Sequence, residues 1–314
     1  MNVLIADDAH ELLIETLVDW GCKVNYQPDI TNSSVLDIIK DYEIIIVSTK
    51  TIIDKKLINL AINLRFILRM GSGLDTIDVA YAQTKNIQCF ASPEGNCNAV
   101  AEHTVGMLLA ITKNIHRSAN EVKKMIWKRE ENRGTELMNK TISIIGVGHT
   151  GGAVAKRLSG FDATMLGVDI FKNNITTSYL KQAEMKEVFE QSDVVTLHLP
   201  LTHETFHFAN AAFFNSFHKS IILLNASRGN VVSMPDLLAA LHSGKVVGAG
   251  LDVLENEKME TLTTEETSQL TTLQAHQNVL ITPHIAGWSI ESKRNIAAVI
   301  LSKIAPYINH NNVI

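Results

Sequence analysis

The chain has 314 residues, 46% of them hydrophobic and 19% charged, a globular composition that excludes a disordered or fibrous chain and leaves room for two domains of about 150 residues. Lysine and arginine number 28 against 33 acidic residues, a net charge of −5, and no basic block marks a nucleic-acid or anionic-membrane binder. Three cysteines (Cys22, Cys89, Cys97) at unrelated spacings give neither a disulfide framework nor a zinc ribbon, and no apolar run approaches the ~18 residues of a membrane span.

The N-terminus, MNVLIADDAH, runs straight into a strand, unlike a secretory signal, so a cytoplasmic protein is expected. Short apolar runs follow at Val3–Ala6, Cys22–Tyr26, Ile44–Val47, Phe66–Met70 and Ile87–Phe90. Between them lie segments of helical periodicity at Leu12–Trp20, Val35–Lys40, Lys55–Ile62 and Ile77–Lys85. This alternation predicts a flavodoxin-like unit with a parallel sheet covered on both faces. Ser92–Asn96 is expected as a break, followed by a long helix over about Asn98–His116 and a more polar one over Ser118–Lys128. From Thr141 a second strand–helix series begins, through TISIIG, TMLGVD, DVVTLHL, SIILLNAS, VVGAGLD and NVLIT, and a helix from Ser289 to Ile308 closes the chain. The expected fold is therefore α/β with two doubly wound parallel-sheet domains. Residues 1–93 with 288–314 would form a flavodoxin-like substrate-binding domain. Residues 94–287 would form an inserted Rossmann domain.

The strongest local signal is Gly146-Val147-Gly148-His149-Thr150-Gly151, which follows an apolar strand and opens a helix. The first glycine permits a tight turn, the second lets a pyrophosphate approach the backbone, and the third lets helix and strand pack closely. The helix N-terminus supplies amide donors and positive dipole. Asp169 ends the next strand, 18 residues after Gly151, where a carboxylate can accept from both ribose hydroxyls. A carboxylate there repels a 2′-phosphate, so NAD is preferred to NADP; Lys172 keeps the second open.

Arg228, Asp252, Glu257 and His284 follow later strand ends, where ligands gather in an open parallel sheet. An arginine, an acid and a histidine could converge there, although each alone reads more readily as a surface ion pair or a loop residue. Three other patterns carry less. His203-Glu204-Thr205-Phe206-His207 matches HExxH, but it lies in an expected turn rather than on the helix a zinc site needs; no metal is expected. Asp7–Asp8 lacks the third-strand aspartate of a receiver domain. His103 reads as a packed core histidine and Cys97 as a plain structural thiol.

Seven segments, GSGLDTID, NAVAEHTVGMLL, GVGHTGG, HLPLTHET, NASRGNVV, GAGLDVLENE and TPHIAG, occur in the order in which the chain resembles the D-2-hydroxyacid dehydrogenase family. That resemblance implies Arg228, Glu257 and His284 as the catalytic trio. It implies a cofactor site lined by Gly146, Gly148, His149, Thr150, Gly151, Asp169, Leu199, Pro200, Thr205, Ala226, Ser227, Asp252 and Gly287. Ser72 and Gly73 would offer backbone amides to a substrate carboxylate. Lys258 stands where the family has a proline. Hydride transfer between NAD(H) and a 2-hydroxy/2-oxo acid follows, with the D product and a homodimer built around Asn98–Lys128. Arg69 occupies the place of a basic residue in the 3-phosphoglycerate branch, and Lys50 could face the same cleft, so that substrate is favoured; Ser48 stands where the branch carries another arginine. With the sequence ending at Ile314, a regulatory C-terminal domain and serine feedback are not expected. The cleft is expected between the domains, closing to exclude water. The alternatives are a reductase of glyoxylate or hydroxypyruvate, and a non-catalytic NAD-sensing protein on the same fold.

Overall fold

The computed structural model describes residues 1–308. Its chain divides into two units, Met1–Cys97 together with the segment from Trp288 on, and Asn98–Gly287. The first unit carries β1 (Asn2–Ile5), α1 (Glu11–Asp19), β2 (Lys23–Tyr26), α2 (Asn32–Ile38), β3 (Ile44–Val47), α3 (Lys55–Leu60), β4 (Phe66–Arg69), α4 (Val79–Thr84) and β5 (Gln88–Ala91). The strands form an all-parallel sheet in the order β2-β1-β3-β4-β5. Because alternate side chains of a strand point to opposite faces, the uninterrupted run Ile44-Ile45-Ile46-Val47 serves two cores. Ile44 and Ile46 join Val3, Ile5, Phe66 and Leu68 on one face. Ile45 and Val47 join Leu4, Ala6 and Ile67 on the other. His10, Thr31, Asp54 and Asp78 start α1 to α4 by accepting a backbone N–H of the first turn.

The expected break at Ser92–Asn96 is instead the start of α5 (Pro93–Thr112). Proline lacks only an N–H that the first turn leaves unpaired, so here it begins a helix rather than ending one. The division between the units falls after Cys97, inside α5, rather than at residue 93.

The second unit continues with α6 (Ile115–Lys123), β6 (Thr141–Ile145), α7 (His149–Leu158), β7 (Thr164–Val168), β8 (Lys181–Gln182), α8 (Met185–Gln191), β9 (Val194–Leu197), α9 (Ala211–Asn215), β10 (Ile221–Asn225), α10 (Met234–His242), β11 (Val246–Leu251), α11 (Thr264–Ala275) and β12 (Val279–Ile281). All pairings are parallel, in the order β12-β11-β10-β9-β6-β7-β8. The order reverses between β6 and β9, the crevice where an open sheet of this kind takes a ligand at its carboxyl edge. Gly248 and Gly250 of β11 have a steric purpose. A Cβ on Gly248 would stand 2.9 Å from Ile111 Cγ2, and one on Gly250 would stand 3.2 Å from Met107 Cβ, so α5 lies close on the sheet only because both are glycine.

The chain then returns to the first unit as α12 (Ile290–Ile308). Ala297, Ile300, Leu301, Ile304 and Ile308 form its buried stripe and complete the core around Leu13 and Leu17 of α1. No helix among the described residues is long and apolar enough to cross a membrane.

Candidate active site

β6 feeds directly into the glycine loop. Gly146 has φ 90°, and a Cβ there would lie 2.4 Å from the His198 carbonyl oxygen. A Cβ on Gly151 would lie 2.0 Å from the Gly146 carbonyl oxygen. These two positions exclude any side chain, so that strand, loop and helix can close on one another. Gly148 differs: nothing lies within 4 Å of its Cβ position. It is the N-cap of α7 and supplies no side-chain acceptor, so the amides that follow, at His149 and Thr150, keep the anion-binding capacity of a helix N-terminus beside open space. The loop therefore fits a dinucleotide pyrophosphate.

Asp169 stands just past β7. Its Oδ2 accepts from the Val147 amide (2.9 Å), and its Oδ1 accepts from the Phe171 and Lys172 amides (3.0 Å each). Of the roughly four lone-pair sites of a carboxylate, three are taken, which fixes the group and leaves one for a ribose hydroxyl rather than two. The Lys172 ammonium donates to the Val147 carbonyl (3.1 Å).

Past β9, the Thr205 hydroxyl donates to the Pro200 carbonyl (2.6 Å) and accepts from the Thr202 amide (2.8 Å), closing the turn that begins at Leu199. His203 to His207 lie in that turn region rather than on a helix, with His207 at φ 50°. The HExxH pattern thus lacks the scaffold of a zinc protease. The neighbouring His198 shares a hydrogen bond between its Nε2 and Thr196 Oγ1 (2.9 Å), while its Nδ1 is buried without a partner. Burial pushes its pKa down to about 4, so the ring is neutral at physiological pH.

Arg228, Asp252 and His284 follow β10, β11 and β12, three neighbouring strands. The buried Asn225 holds the first of these loops. Its Nδ2 donates to the Arg228 carbonyl (2.9 Å), and its Oδ1 accepts from the Ser227 amide (3.0 Å) and hydroxyl (2.8 Å). Arg228 donates through a terminal nitrogen to the Ser227 carbonyl (2.7 Å). A Cβ on Gly229 would lie 1.8 Å from the Leu254 carbonyl oxygen, so the arginine loop presses directly on the segment leading to Glu257. That segment is pinned by Glu255, whose Oε1 accepts from the Met234 amide (2.5 Å). The Lys258 amide donates to Asn256 Oδ1 (3.0 Å), a bond that a proline could not make.

His284 Nδ1 donates to Glu257 Oε2 at 2.8 Å, with the two side chains 44% and 41% exposed. The histidine has φ 55°, a left-handed conformation few non-glycine residues adopt. Its amide donates to the Asp252 carbonyl (2.8 Å), and the Asp252 carboxylate accepts from the next two amides, Ile285 (2.9 Å) and Ala286 (2.8 Å).

In the first unit, Arg69 ends β4 and is only 7% exposed. One terminal nitrogen donates to the Met70 carbonyl (2.6 Å), and a Cβ on Gly71 would lie 2.7 Å from it. The buried Ser92 hydroxyl accepts from the Gly71 amide (2.8 Å) and donates to the Arg69 carbonyl (3.0 Å). The exposed Ser72 donates to Asn96 Oδ1 (2.7 Å), beside Gly73. Lys50 is exposed and donates to the Pro28 carbonyl. Asp7, nearly buried, accepts from the Ser48 amide (2.6 Å); burial raises its pKa against the opposing effects of that amide, Lys50 and Arg69.

Residues 105–286 match the model of the D-isomer specific 2-hydroxyacid dehydrogenase NAD-binding domain. A D-3-phosphoglycerate dehydrogenase of Archaeoglobus fulgidus is 32% identical over 97% of this chain. The chain belongs to the D-isomer-specific 2-hydroxyacid dehydrogenase family. It spans about half the length of the phosphoglycerate relatives it matches, 56% of the A. fulgidus protein. A hydroxypyruvate reductase of Thermotoga maritima is 33% identical, with 86% of each chain aligned. A crystal structure of the Aquifex aeolicus D-lactate dehydrogenase, complexed with NAD and lactic acid, superposes with a TM-score of 0.83 at 26% identity, covering 100% of this chain and 97% of that one.

The matched family model is of an NAD-binding domain, and the cofactor is NAD, in accord with the shape of the glycine loop and the fixed carboxylate of Asp169. Sequence reasoning did not single out Asn225 or Gly229. Asn225 had one visible signal, an amide side chain ending an otherwise apolar strand. Gly229 had none, because its obligation comes from a segment 25 residues further on. His103, read as a packed core residue, is hydrogen-bonded to Thr282 Oγ1 (3.0 Å).

Proposed function

We propose that this protein is an NAD-dependent D-2-hydroxyacid dehydrogenase, interconverting a D-2-hydroxy acid and its 2-oxo acid. The observation that carries the reading is the 2.8 Å His284–Glu257 bond, set on the strand end two places from Arg228. Bound NAD(H) supplies the hydride acceptor or donor. The Arg228 guanidinium, charged and forked, suits the substrate carboxylate and would polarise the adjacent carbonyl. With Nδ1 committed to Glu257, His284 keeps Nε2 to give a proton to the substrate oxygen in reduction or to take it in oxidation. Glu257 orients the ring through that bond. Asp169 takes a ribose hydroxyl, and the α7 amides take the pyrophosphate.

The substrate proposed is the 3-phosphoglycerate/3-phosphohydroxypyruvate pair, on the two cations Arg69 and Lys50 at neighbouring strand ends of the first unit and on the phosphoglycerate relatives. Hydroxypyruvate is the second reading, favoured by the burial of Arg69 to 7% exposure and by the length-matched Thermotoga relative. NADH oxidation across 3-phosphohydroxypyruvate, hydroxypyruvate, glyoxylate, pyruvate and branched 2-oxo acids decides between them. Highest kcat/KM on the phosphorylated acid supports the first, and highest on hydroxypyruvate the second. No turnover of any overturns the dehydrogenase reading, and a folded His284→Ala variant as fast as the parent overturns the role given to His284. A homodimer is proposed on the exposed Ile115, Val122, Met125 and Trp127 in and after α6; light scattering tests it.

A further inference from the structure

The Asp252 carboxylate is 1% exposed and lies at the centre of a network reaching beyond the trio. Its Oδ2 accepts from the Ala286 amide (2.8 Å), and its Oδ1 accepts from the Ile285 amide (2.9 Å) and the Thr282 hydroxyl (2.6 Å). Two amide donors hold an ionised carboxylate, which can only accept. Thr282 therefore spends its single hydroxyl proton on Asp252. Its oxygen is left as an acceptor, and its remaining polar neighbour is His103 Nε2, at 3.0 Å. Since the threonine has no second proton to give, the histidine must carry the proton on Nε2 and donate it. The same Nε2 lies 3.6 Å from Asp252 Oδ1.

His103 reaches this point because α5 is drawn onto the sheet. It stands one turn before Met107, which packs over Gly250. Opposite it, the segment bound by Asp252 runs from Thr282 to Ala286 and includes His284 in its left-handed conformation. A non-glycine residue keeps such a backbone only where its surroundings over-determine it.

We propose that His103 is a positioning residue for His284. It donates from Nε2 to Thr282, Thr282 locks the Asp252 carboxylate, and the carboxylate clamps the Ile285 and Ala286 amides, so the imidazole above them stays aligned with Glu257. The catalytic part of this proposal rests on the dehydrogenase reading; the hydrogen-bond chain does not. The clamp is separate from the glycine loop, and His103 and Thr282 lie outside the residues assigned to the cofactor, Asp252 and Gly287 among them, so loss of the His103–Thr282 link bears more on turnover than on nucleotide affinity.

The test uses the full chain and the variants His103→Ala, His103→Gln, Thr282→Val and Thr282→Ser. Glutamine keeps a donor where Nε2 stands, and serine keeps the hydroxyl. H103A and T282V should lower kcat by about tenfold to a hundredfold, the range for misplacing a reacting group by about an ångström. Their KM for NADH and NADH dissociation constant should stay within about twofold, as expected when only the transition state is affected. H103Q and T282S should retain most of kcat. Hydrogen exchange of the 282–288 segment should accelerate in H103A but not in H103Q, and 15N-histidine spectra should show His103 protonated on Nε2. A folded H103A with parental kcat and parental exchange overturns the proposal. So does a loss of NADH affinity as large as the loss of kcat without rescue by glutamine, which marks a general packing role. A parent that binds NADH yet reduces no 2-oxo acid sinks the dehydrogenase reading alone, and the exchange and nitrogen spectra then decide the clamp.

Discussion

Protonation of His198 should destabilise the second unit by a calculable amount. Burial holds the folded-state pKa at about 4, against 6.5 for the free side chain; the ring is hydrogen-bonded to Thr196, and the backbone carbonyl of the same histidine faces Gly146 at the base of the glycine loop. A group whose folded pKa is depressed contributes its full stability above its unfolded pKa, here above pH 6.5. That stability drains away as pH falls toward 4, because only the unfolded chain binds the proton. Linkage gives a loss of about 2 kcal/mol between pH 7.5 and pH 5, rising to about 3 kcal/mol below pH 4. His198→Gln keeps an amide able to bond Thr196 but removes the titration. Urea unfolding followed by circular dichroism, on parent and variant at both pH values, isolates the effect as the difference between the two pH dependences. Parallel pH dependences would refute the reasoning, since they would mean that the ring is solvated or already protonated in the fold.

Gly151→Ala places a methyl 2.0 Å from the Gly146 carbonyl oxygen; overpacking of about 1–3 kcal/mol should weaken NADH binding by about fivefold to a hundredfold, as read by fluorescence titration. Gly229→Ala forces the arginine loop off the Leu254 carbonyl, and should raise the KM for the 2-oxo acid while leaving the NADH dissociation constant unchanged. Glu257→Gln should cut kcat by about a hundredfold with NADH binding intact, in steady-state assays. Asp8 is held below the ordinary carboxylate range chiefly by its hydrogen bond to Lys293 (2.7 Å); the stability from this pair is present above the ordinary carboxylate pKa and lost as pH falls through the lowered one. Lys293→Met should let Asp8 titrate at its ordinary value, as followed by carbon NMR.

The parts of this fold that announce themselves in sequence are those whose physics is local. An isoleucine run such as Ile44–Val47 reads as a two-face strand because every side chain is apolar. GVGHTGG reads as a phosphate loop because glycine spacing and helix start are both in the string. Pro93 misleads because proline terminates helices and initiates them equally well, and only the following turn distinguishes the two. β8 escapes notice because two polar edge residues, Lys181 and Gln182, carry no period. Position after strand ends only raises Glu257 and His284 as candidates, and family likeness singles out the pair, since no periodicity joins residues 27 apart across two strand ends. His103 reads as a packed residue because its neighbours on α5 are apolar, and its hydrogen-bond partner Thr282, 179 residues away, leaves no local mark in the string.

Helix α12 gives the first sheet an unusual life history during biosynthesis. One face of that sheet stays without Ala297, Ile300, Leu301 and Ile304 until the whole of the intervening unit has left the ribosome. That nucleotide-binding unit, contiguous from Asn98 to Gly287, can mature while its amino-terminal neighbour still waits, greasy side up, for α12 to arrive. Chaperone engagement should therefore concentrate on the amino-terminal unit rather than on the nucleotide-binding one.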